Sequence, residues 1–345
     1  MPNKTKKILL YSYDRSFEFE NVFDPKVRDN VRDPFIHLRS KLYSLGYELE
    51  SKTKNLSEID EYEWILFINS PFLTKGDEVQ IKRHNESLKE MLIEGKDKIV
   101  LFLWEGKSVK PENYNKKLYD LFPIIFTWDD NQIDNQKFFK FYHPSPGSLP
   151  TVPNIPFNDK RLLVNISRNK KSNYKNELYS ERIKTISYFD KHFSNEFDLY
   201  GIGWNKPISK IEKLFPFLIK KYPSYKGKIP NKSEAIPYYK YSICYENILG
   251  EKGMITEKIF DTLRLGSVPI YWGSSNITEY VDKDTFIDRR DFTSNKKLAD
   301  YIVNMKKDEY NQYLKAIELY LKGEKMFLFL PENFANNIIK ILKLK

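Results

Sequence analysis

The chain has 345 residues, 41% of them hydrophobic and 30% charged, with a formal net charge of +10 at pH 7. This balance excludes an intrinsically disordered chain, whose apolar content is too low to offset the entropy of ordering. The 13 glycines and 18 prolines are too few for a collagen-like or linker-like polymer.

At about 150 residues per domain, the length predicts two domains. The basic start MPNKTKK runs into a short apolar stretch with no small-residue cleavage site. Lys6–Tyr13 is therefore expected as a first strand and not as a signal peptide. Phe35, Leu38, Leu42 and Leu45 recur at helical spacing and predict a helix from Pro34 to Leu45, ending before Gly46. Trp64–Asn69 reads as a second buried strand. Glu78–Glu94 reads as a helix with Val79, Leu88, Met91, Leu92 and Ile93 as its apolar positions. Ile99–Trp104 and Pro123–Thr127 are the next strands, and even the first is far short of the ~20 residues of a membrane helix. Strands separated by helices imply a parallel sheet covered on both faces.

Tyr142–Asp159 holds five prolines and little periodicity, which marks an interdomain linker. A second series follows it. Strands are predicted at Leu162–Ser167, Phe197–Tyr200, Ser242–Tyr245, Val268–Tyr271 and Phe286–Ile287. Helices are predicted at Glu177–Phe193, Thr256–Leu265, Lys296–Lys306 and Glu309–Lys322, with a terminal one after Pro331. Two α/β units of this kind imply ligand binding outside the carboxyl ends of strands.

One cysteine excludes a disulfide framework and a thiolate zinc site. Four scattered histidines, His37, His84, His143 and His192, form no metal-spaced pair. With no export signal read, a reducing cytoplasm is expected. The positive excess fits either an anionic partner or a solvated lysine surface. Lys170-Lys171, Lys220-Lys221 and Lys306-Lys307 are separate pairs, which argues against a nucleic-acid-binding face.

Chemistry concentrates in Tyr241–Phe292. A buried strand ends at Glu246-Asn247, a loop with Gly250 and Gly253 follows, and Thr256-Glu257-Lys258 opens a helix. Thr256 fits the N-cap, and the helix N-terminus favours an anion. A first-turn lysine opposes the helix dipole unless an anion sits between it and the amides; otherwise Lys258 projects to solvent. Asp282-Lys283-Asp284 spells a D-x-D, but in a polar stretch, which reads as a solvated turn.

The same stretch resembles the signature of the α1,3-fucosyltransferase family, inverting enzymes that use GDP-fucose. The matching residues are Tyr245-Glu246-Asn247, Met254-Ile255-Thr256-Glu257-Lys258, Gly266 and Val268-Pro269-Ile270-Tyr271-Trp272-Gly273. Asn276–Tyr280 and Phe286–Phe292 follow in order and spacing. Upstream, Asn165-Ile166-Ser167, Glu181-Arg182, Phe197–Gly201 and Tyr225–Gly227 are similar to the family, and in the first half Phe102–Gly106 with Tyr114-Asn115. One departure is Met254, where the family carries tyrosine near the donor; either the donor contact differs or Tyr245 or Tyr271 substitutes.

The resemblance implies an α/β fold of two Rossmann-like domains facing a cleft (GT-B type). An acceptor-binding domain would span 1–150 and a nucleotide-sugar-binding domain 151–325. A C-terminal helix over 326–345 would either pack on the body or dock weakly to anionic lipid. It implies transfer of L-fucose from GDP-fucose to a glycan or lipid-linked acceptor, to the 3-OH of a GlcNAc or Glc unit in a surface polysaccharide. The alternatives are another nucleotide-linked deoxy sugar donor, or a non-catalytic basic nucleic-acid or glycan binder. Arg182 and Lys258 are the implied phosphate cations, with no obligatory metal or other cofactor. Glu105 is the candidate base, with Glu112 the competing carboxylate and an ordinary surface glutamate the alternative for Glu105. Glu257 is expected to take donor-sugar or ribose hydroxyls. Glu246, Asn247, Thr256, Tyr245 and Met254 are expected to shape the donor pocket. The expected location is the cytoplasm, with at most peripheral contact at the membrane's inner face.

Overall fold

The computed structural model describes residues 5–13, 19–52, 56, 59–74, 77–147, 152–208 and 210–345. The chain divides into two compact units, Met1–Gly147 with Phe329–Lys345, and Ser148–Leu328. The first boundary falls inside the proline-rich segment, of which residues 148–151 lie outside the described set.

Unit 1 builds on strands β1 (Lys6–Tyr11), β2 (Tyr47–Lys52), β3 (Trp64–Ile68), β4 (Ile99–Phe102), β5 (Ile124–Thr127) and β6 (Phe138–Lys140). Among the described residues these form one six-stranded sheet in the order β2-β1-β3-β4-β5-β6, with every neighbouring pair parallel. β4 is buried at all positions, as a strand covered on both faces requires. Helix α1 (Asp33–Ser44) crosses from β1 to β2 and buries Phe35, Leu38 and Leu42. Helix α2 (Glu78–Glu94) is capped by Asp77, whose carboxylate accepts the Gln80 amide at 3.0 Å. It buries Leu88 and Leu92. Val79 and Ile93, expected on its apolar face, are instead exposed at its two ends.

Unit 2 builds on β7 (Arg161–Ile166), β8 (Phe197–Tyr200), β9 (Tyr225–Gly227), β10 (Tyr239–Tyr245), β11 (Val268–Trp272) and β12 (Ile287–Asp288). Its sheet order is β12-β11-β10-β7-β8-β9, again parallel throughout. Counted from β7 this is the 3-2-1-4-5-6 order of dinucleotide-binding folds, with its topological switch between β7 and β10. The helices that matter below are α3 (Tyr179–His192), α4 (Lys210–Leu214), α5 (Glu257–Arg264), α6 (Asn295–Asn304) and α7 (Lys307–Leu321). Asp282–Asp284 lies exposed at a short 3-10 turn, with Asp282 paired to Lys325 at 2.7 Å. Cys244 is buried in β10, where burial pushes its thiol up to about 12.

The chain ends in unit 1. The C-terminal helix Pro331–Ile341 packs on α1 and buries Phe334, Ala335 and Ile338. Phe334 sits 6.0 Å from the Phe35 and Trp104 ring centroids and 6.1 Å from that of Phe102. Lys41 on α1 reaches Glu332 at 2.8 Å and Asn336 at 2.9 Å. The apolar face of this helix is therefore covered by the protein's own aromatic cluster, which is the packing alternative and not lipid docking. Phe334→Ala is expected to lower unfolding free energy by about 3–5 kcal/mol, because the ring leaves a cavity among other rings. Urea unfolding of the full chain measures it, and a loss below about 1 kcal/mol would show that this helix is dispensable to unit 1. Among the described residues, no helix is long and apolar enough to cross a membrane.

Candidate active site

Strands that end at a topological switch leave a crevice where the two crossovers depart to opposite faces. In unit 2 that point lies at the carboxyl ends of β7 and β10. Tight backbone approaches shape it. Gly201, after β8, has φ +126°, and a Cβ there would overlap the Ser167 carbonyl just beyond β7. The loop after β10 is laced to the start of α3: the Leu178 amide donates to the Asn247 carbonyl at 3.1 Å, and the Leu249 amide to the Asn176 carbonyl at 2.8 Å. The two residues expected to open that helix, Glu177 and Leu178, are used in this lacing, so α3 starts at Tyr179. This brings Arg182, one turn into α3, beside the end of β10.

Glu246, fully buried, is the hub. Its carboxylate accepts the Thr256 amide at 2.8 Å, the Thr256 hydroxyl at 3.0 and 2.9 Å, and the Lys258 ammonium at 3.0 Å. Lys258 also donates to the Thr256 hydroxyl at 2.9 Å. The room for this hub comes from Gly273, where a Cβ would collide with the Glu246 side chain and stand 2.6 Å from the Tyr271 hydroxyl. Thr256 does occupy the N-cap position of α5, but its hydroxyl does not cap the helix. The hydroxyl is engaged elsewhere: it donates to the Glu246 carboxylate ten residues earlier, and its oxygen accepts the Lys258 ammonium. The Thr256 side chain makes no capping bond to α5, whose N-terminus favours an anion.

The cations of the site differ in their electrostatics. Burial depresses the Lys258 ammonium, but the neighbouring Glu246 and Glu257 carboxylates outweigh it, and the group ends above its ordinary value. Lys258 is thus charged at neutral pH and tethered on one side. Burial pulls the Arg182 guanidinium below its ordinary value, a pull that Tyr179 and Glu246 offset only in part. Arg182 is 6% exposed and lies over the Tyr179 ring at 5.2 Å. Its Nη2 is buried and has no hydrogen-bond partner among the described residues. A buried guanidinium with an unused donor is costly unless an anion completes it.

Around this core, Tyr245 is buried, with its hydroxyl 3.1 Å from the Thr185 hydroxyl and its ring edge-on to Trp272 at 5.4 Å. Met254 is also buried. The Tyr271 hydroxyl lies 3.5 Å from the Met254 carbonyl and accepts the Ser274 amide at 3.0 Å. Both rings considered as replacements at Met254 are therefore enclosed and bonded within unit 2. Glu257 and Asn247 are half-buried, at the first turn of α5 and just past β10.

Sequence reasoning missed Arg289. It is buried, stacks over Trp272 at 5.0 Å and donates to the Phe292 carbonyl at 2.6 Å and to Asn295 at 3.2 Å. Asn295 in turn accepts the Thr185 hydroxyl at 3.0 Å, which links Arg289 to Tyr245. The available signal was the Arg-Arg pair in the matched stretch Phe286–Phe292, which carried no assigned role.

Glu105 belongs to unit 1; the other named residues lie in unit 2. It follows β4 and is half-buried. Its amide donates to Asn69 Oδ1 at 2.8 Å, and its carbonyl accepts Asn113 Nδ2 at 3.1 Å and the Tyr114 hydroxyl at 3.0 Å. Asn69, at φ +68°, and the fully buried Asn113 bond each other at 2.7 Å. The main chain of Glu105 is thus held at the carboxyl ends of β3 and β4 by side chains from two other loops. Glu112 accepts the Thr74 hydroxyl at 2.8 Å and lines a separate cavity of about 360 Å³ with Asn85, Lys89 and Leu121.

Two parallel Rossmann-like units, the second with a cation-lined site at its switch point, define the GT-B class of glycosyltransferase folds. A crystal structure of an α1,3-fucosyltransferase shares this fold, with a TM-score of 0.56 and 15% identity over 99% of this chain and 92% of that one. Residues 160–326 match the model of the glycosyltransferase family 10 (fucosyltransferase) C-terminal domain. The chain is 36% identical to the Helicobacter pylori alpha-(1,3)-fucosyltransferase FucT over 74 residues, 21% of this chain and 15% of that protein. It is 38% identical to an Arabidopsis thaliana alpha-(1,4)-fucosyltransferase over 81 residues, 23% of this chain and 20% of that protein. The matches thus span about a fifth or less of these curated relatives.

Proposed function

We propose that this protein is an inverting fucosyltransferase that moves L-fucose from GDP-fucose to a hydroxyl of a glycan acceptor. The observation that carries this reading is Arg182: a nearly buried guanidinium with an unused donor, beside Lys258 and the N-terminus of α5, at a topological switch point. A nucleoside diphosphate supplies the anion those groups fit. Arg182 offers a planar fork and Lys258 a point charge, so the two neutralise the leaving diphosphate, and no obligatory metal is proposed. Glu246 acts through Thr256 and Lys258, which it holds in place. Glu257 takes hydroxyls of the ribose or the donor sugar, and Asn247 closes the pocket at the end of β10.

In the reaction the acceptor oxygen attacks the anomeric carbon of fucose, and the bond from that carbon to the diphosphate oxygen breaks. Glu105 takes the acceptor proton, and GDP departs with the electron pair. Support for Glu105 is its clamped backbone at the carboxyl end of β4, the end at which open parallel sheets place their ligands. The proposed acceptor is a GlcNAc or Glc unit of a surface polysaccharide or lipid-linked glycan, taken at the 3-OH, in the cytoplasm. The buried Met254, in place of the family's tyrosine, favours a second reading in which another nucleotide-linked deoxy sugar is the donor.

A mass-spectrometric screen of the full chain with GDP-fucose and short acceptors tests the proposal, with EDTA present in a parallel set. A product heavier by one fucosyl unit, formed at similar rates with and without EDTA, is the expected result. Faster turnover of another nucleotide sugar moves the donor assignment to the second reading. Release of no nucleotide from any donor overturns the transferase reading itself.

A further inference from the structure

Unit 2 also carries an exposed apolar segment that includes none of the site residues named above. Residues 210–221 read KIEKLFPFLIKK. They form α4 and, after Phe215, a 3-10 turn over Pro216–Leu218. Scattered exposed apolar residues are ordinary on a soluble protein, but contiguous ones are not. Here Ile211, Leu214, Phe215, Phe217 and Leu218 are 64%, 72%, 44%, 80% and 49% exposed. Leu214 to Leu218 is an unbroken run of exposed side chains, Pro216 included.

The charges around this run are arranged with one sign outward. Lys210, Lys213 and Lys221 flank it and are exposed. Lys220 is held back against Ser187 at 2.6 Å and over the Tyr222 ring at 4.8 Å. The single acid of the segment, Glu212, is turned inward: it accepts the Ile208 amide at 2.7 Å and faces Lys171 at 4.0 Å. The outward face therefore offers apolar side chains ringed by cations.

We propose that this segment docks unit 2 onto an anionic lipid bilayer. Leu214, Phe215, Phe217 and Leu218 enter the boundary between headgroups and acyl chains, and Lys210, Lys213 and Lys221 meet lipid phosphates. Charge complementarity selects an anionic surface, and the mix of leucine and phenylalanine beside lysine is that of interfacial membrane segments. The form of the segment favours a bilayer over a protein partner. An apolar run that crosses from a helix end into a turn presents neither a helical stripe for a groove nor a strand edge for pairing. The C-terminal helix does not compete for this role, since its apolar stripe is buried on α1. The proposal does not depend on which sugar unit 2 binds.

The test is co-sedimentation of the full chain with vesicles of phosphatidylcholine alone and of phosphatidylcholine with about one-third phosphatidylserine. Binding to the mixed vesicles only, weakened by salt, is expected. Leu214→Ser with Phe217→Ser should weaken binding by at least about tenfold. Lys213→Gln with Lys221→Gln should weaken it by roughly 10- to 30-fold. All four positions are exposed, and an unchanged melting temperature of each variant verifies its fold; Phe217→Ser alone replaces a double variant that fails this check. Equal sedimentation of wild type and the serine variant, or equal binding to both vesicle types, overturns the proposal. So does wild-type dimerisation without vesicle binding that the serine variant abolishes, which would assign the run to a second copy of this chain.

Discussion

Glu105→Gln is expected to fold, to bind GDP with wild-type affinity and to lose about 10²–10⁴-fold in transferase turnover. The substitution keeps the size of the side chain and removes its capacity to take a proton. The bonds that hold the loop, from Asn69, Asn113 and Tyr114, go to the backbone of Glu105, so they survive the exchange. The proposed diphosphate cations are side chains of unit 2, so GDP affinity reports on them separately. Single-turnover rates with saturating GDP-fucose, together with calorimetric GDP affinity, separate the two effects. If Glu105→Gln turns over like wild type while Glu112→Gln does not, the base is the carboxylate that now accepts the Thr74 hydroxyl.

Removing either cation should weaken GDP binding, but the two variants should differ before any ligand is added. Arg182→Met replaces a buried, incompletely bonded guanidinium by an apolar side chain of similar length. The free protein is expected to be as stable as wild type or more so, because the cost of burying that charge is gone. GDP affinity should fall by about 10–100-fold, and the ligand-induced rise in melting temperature should shrink with it. Lys258→Met instead leaves the fully buried Glu246 carboxylate without its ammonium partner. That variant should lose about 3–5 kcal/mol of stability in addition to its GDP affinity. Melting curves of both variants with and without GDP read all four quantities. Wild-type GDP affinity in Arg182→Met would falsify the assignment of its unused donor to the diphosphate.

The central strands were legible in the sequence because a strand buried on both faces must be apolar throughout, as in Ile99–Phe102 and Val268–Trp272. The strands that periodicity did not reveal, Tyr47–Lys52, Phe138–Lys140 and Tyr225–Gly227, are all edges of their sheets. An edge has one neighbour and one wet side, so YELESK and the three-residue strands carry little apolar signal. The site was legible in part. Thr256, Glu257 and Lys258 stand together in the chain, and their place at a helix start followed from local rules. That the Thr256 hydroxyl serves Glu246 and Lys258 rather than the helix was not legible, because the carboxylate arrives from the end of β10. The contact of Arg289 with Trp272, 17 positions apart in the chain, is hidden for the same reason.

The return of the last 17 residues to unit 1, Phe329–Lys345, also sets an order of events during synthesis. Unit 1 draws on two stretches of chain, with residues 148–328 made in between. At roughly 5–20 residues per second the ribosome takes on the order of ten to forty seconds over that interval. Throughout it, Phe35, Phe102 and Trp104 lack the Phe334 ring that closes their cluster. The nascent first unit therefore shows chaperones an open aromatic seat, while unit 2 has all of its strands as soon as Asp288 has emerged. A change within Phe329–Lys345 therefore acts, in this protein, on the folding of the N-terminal sheet.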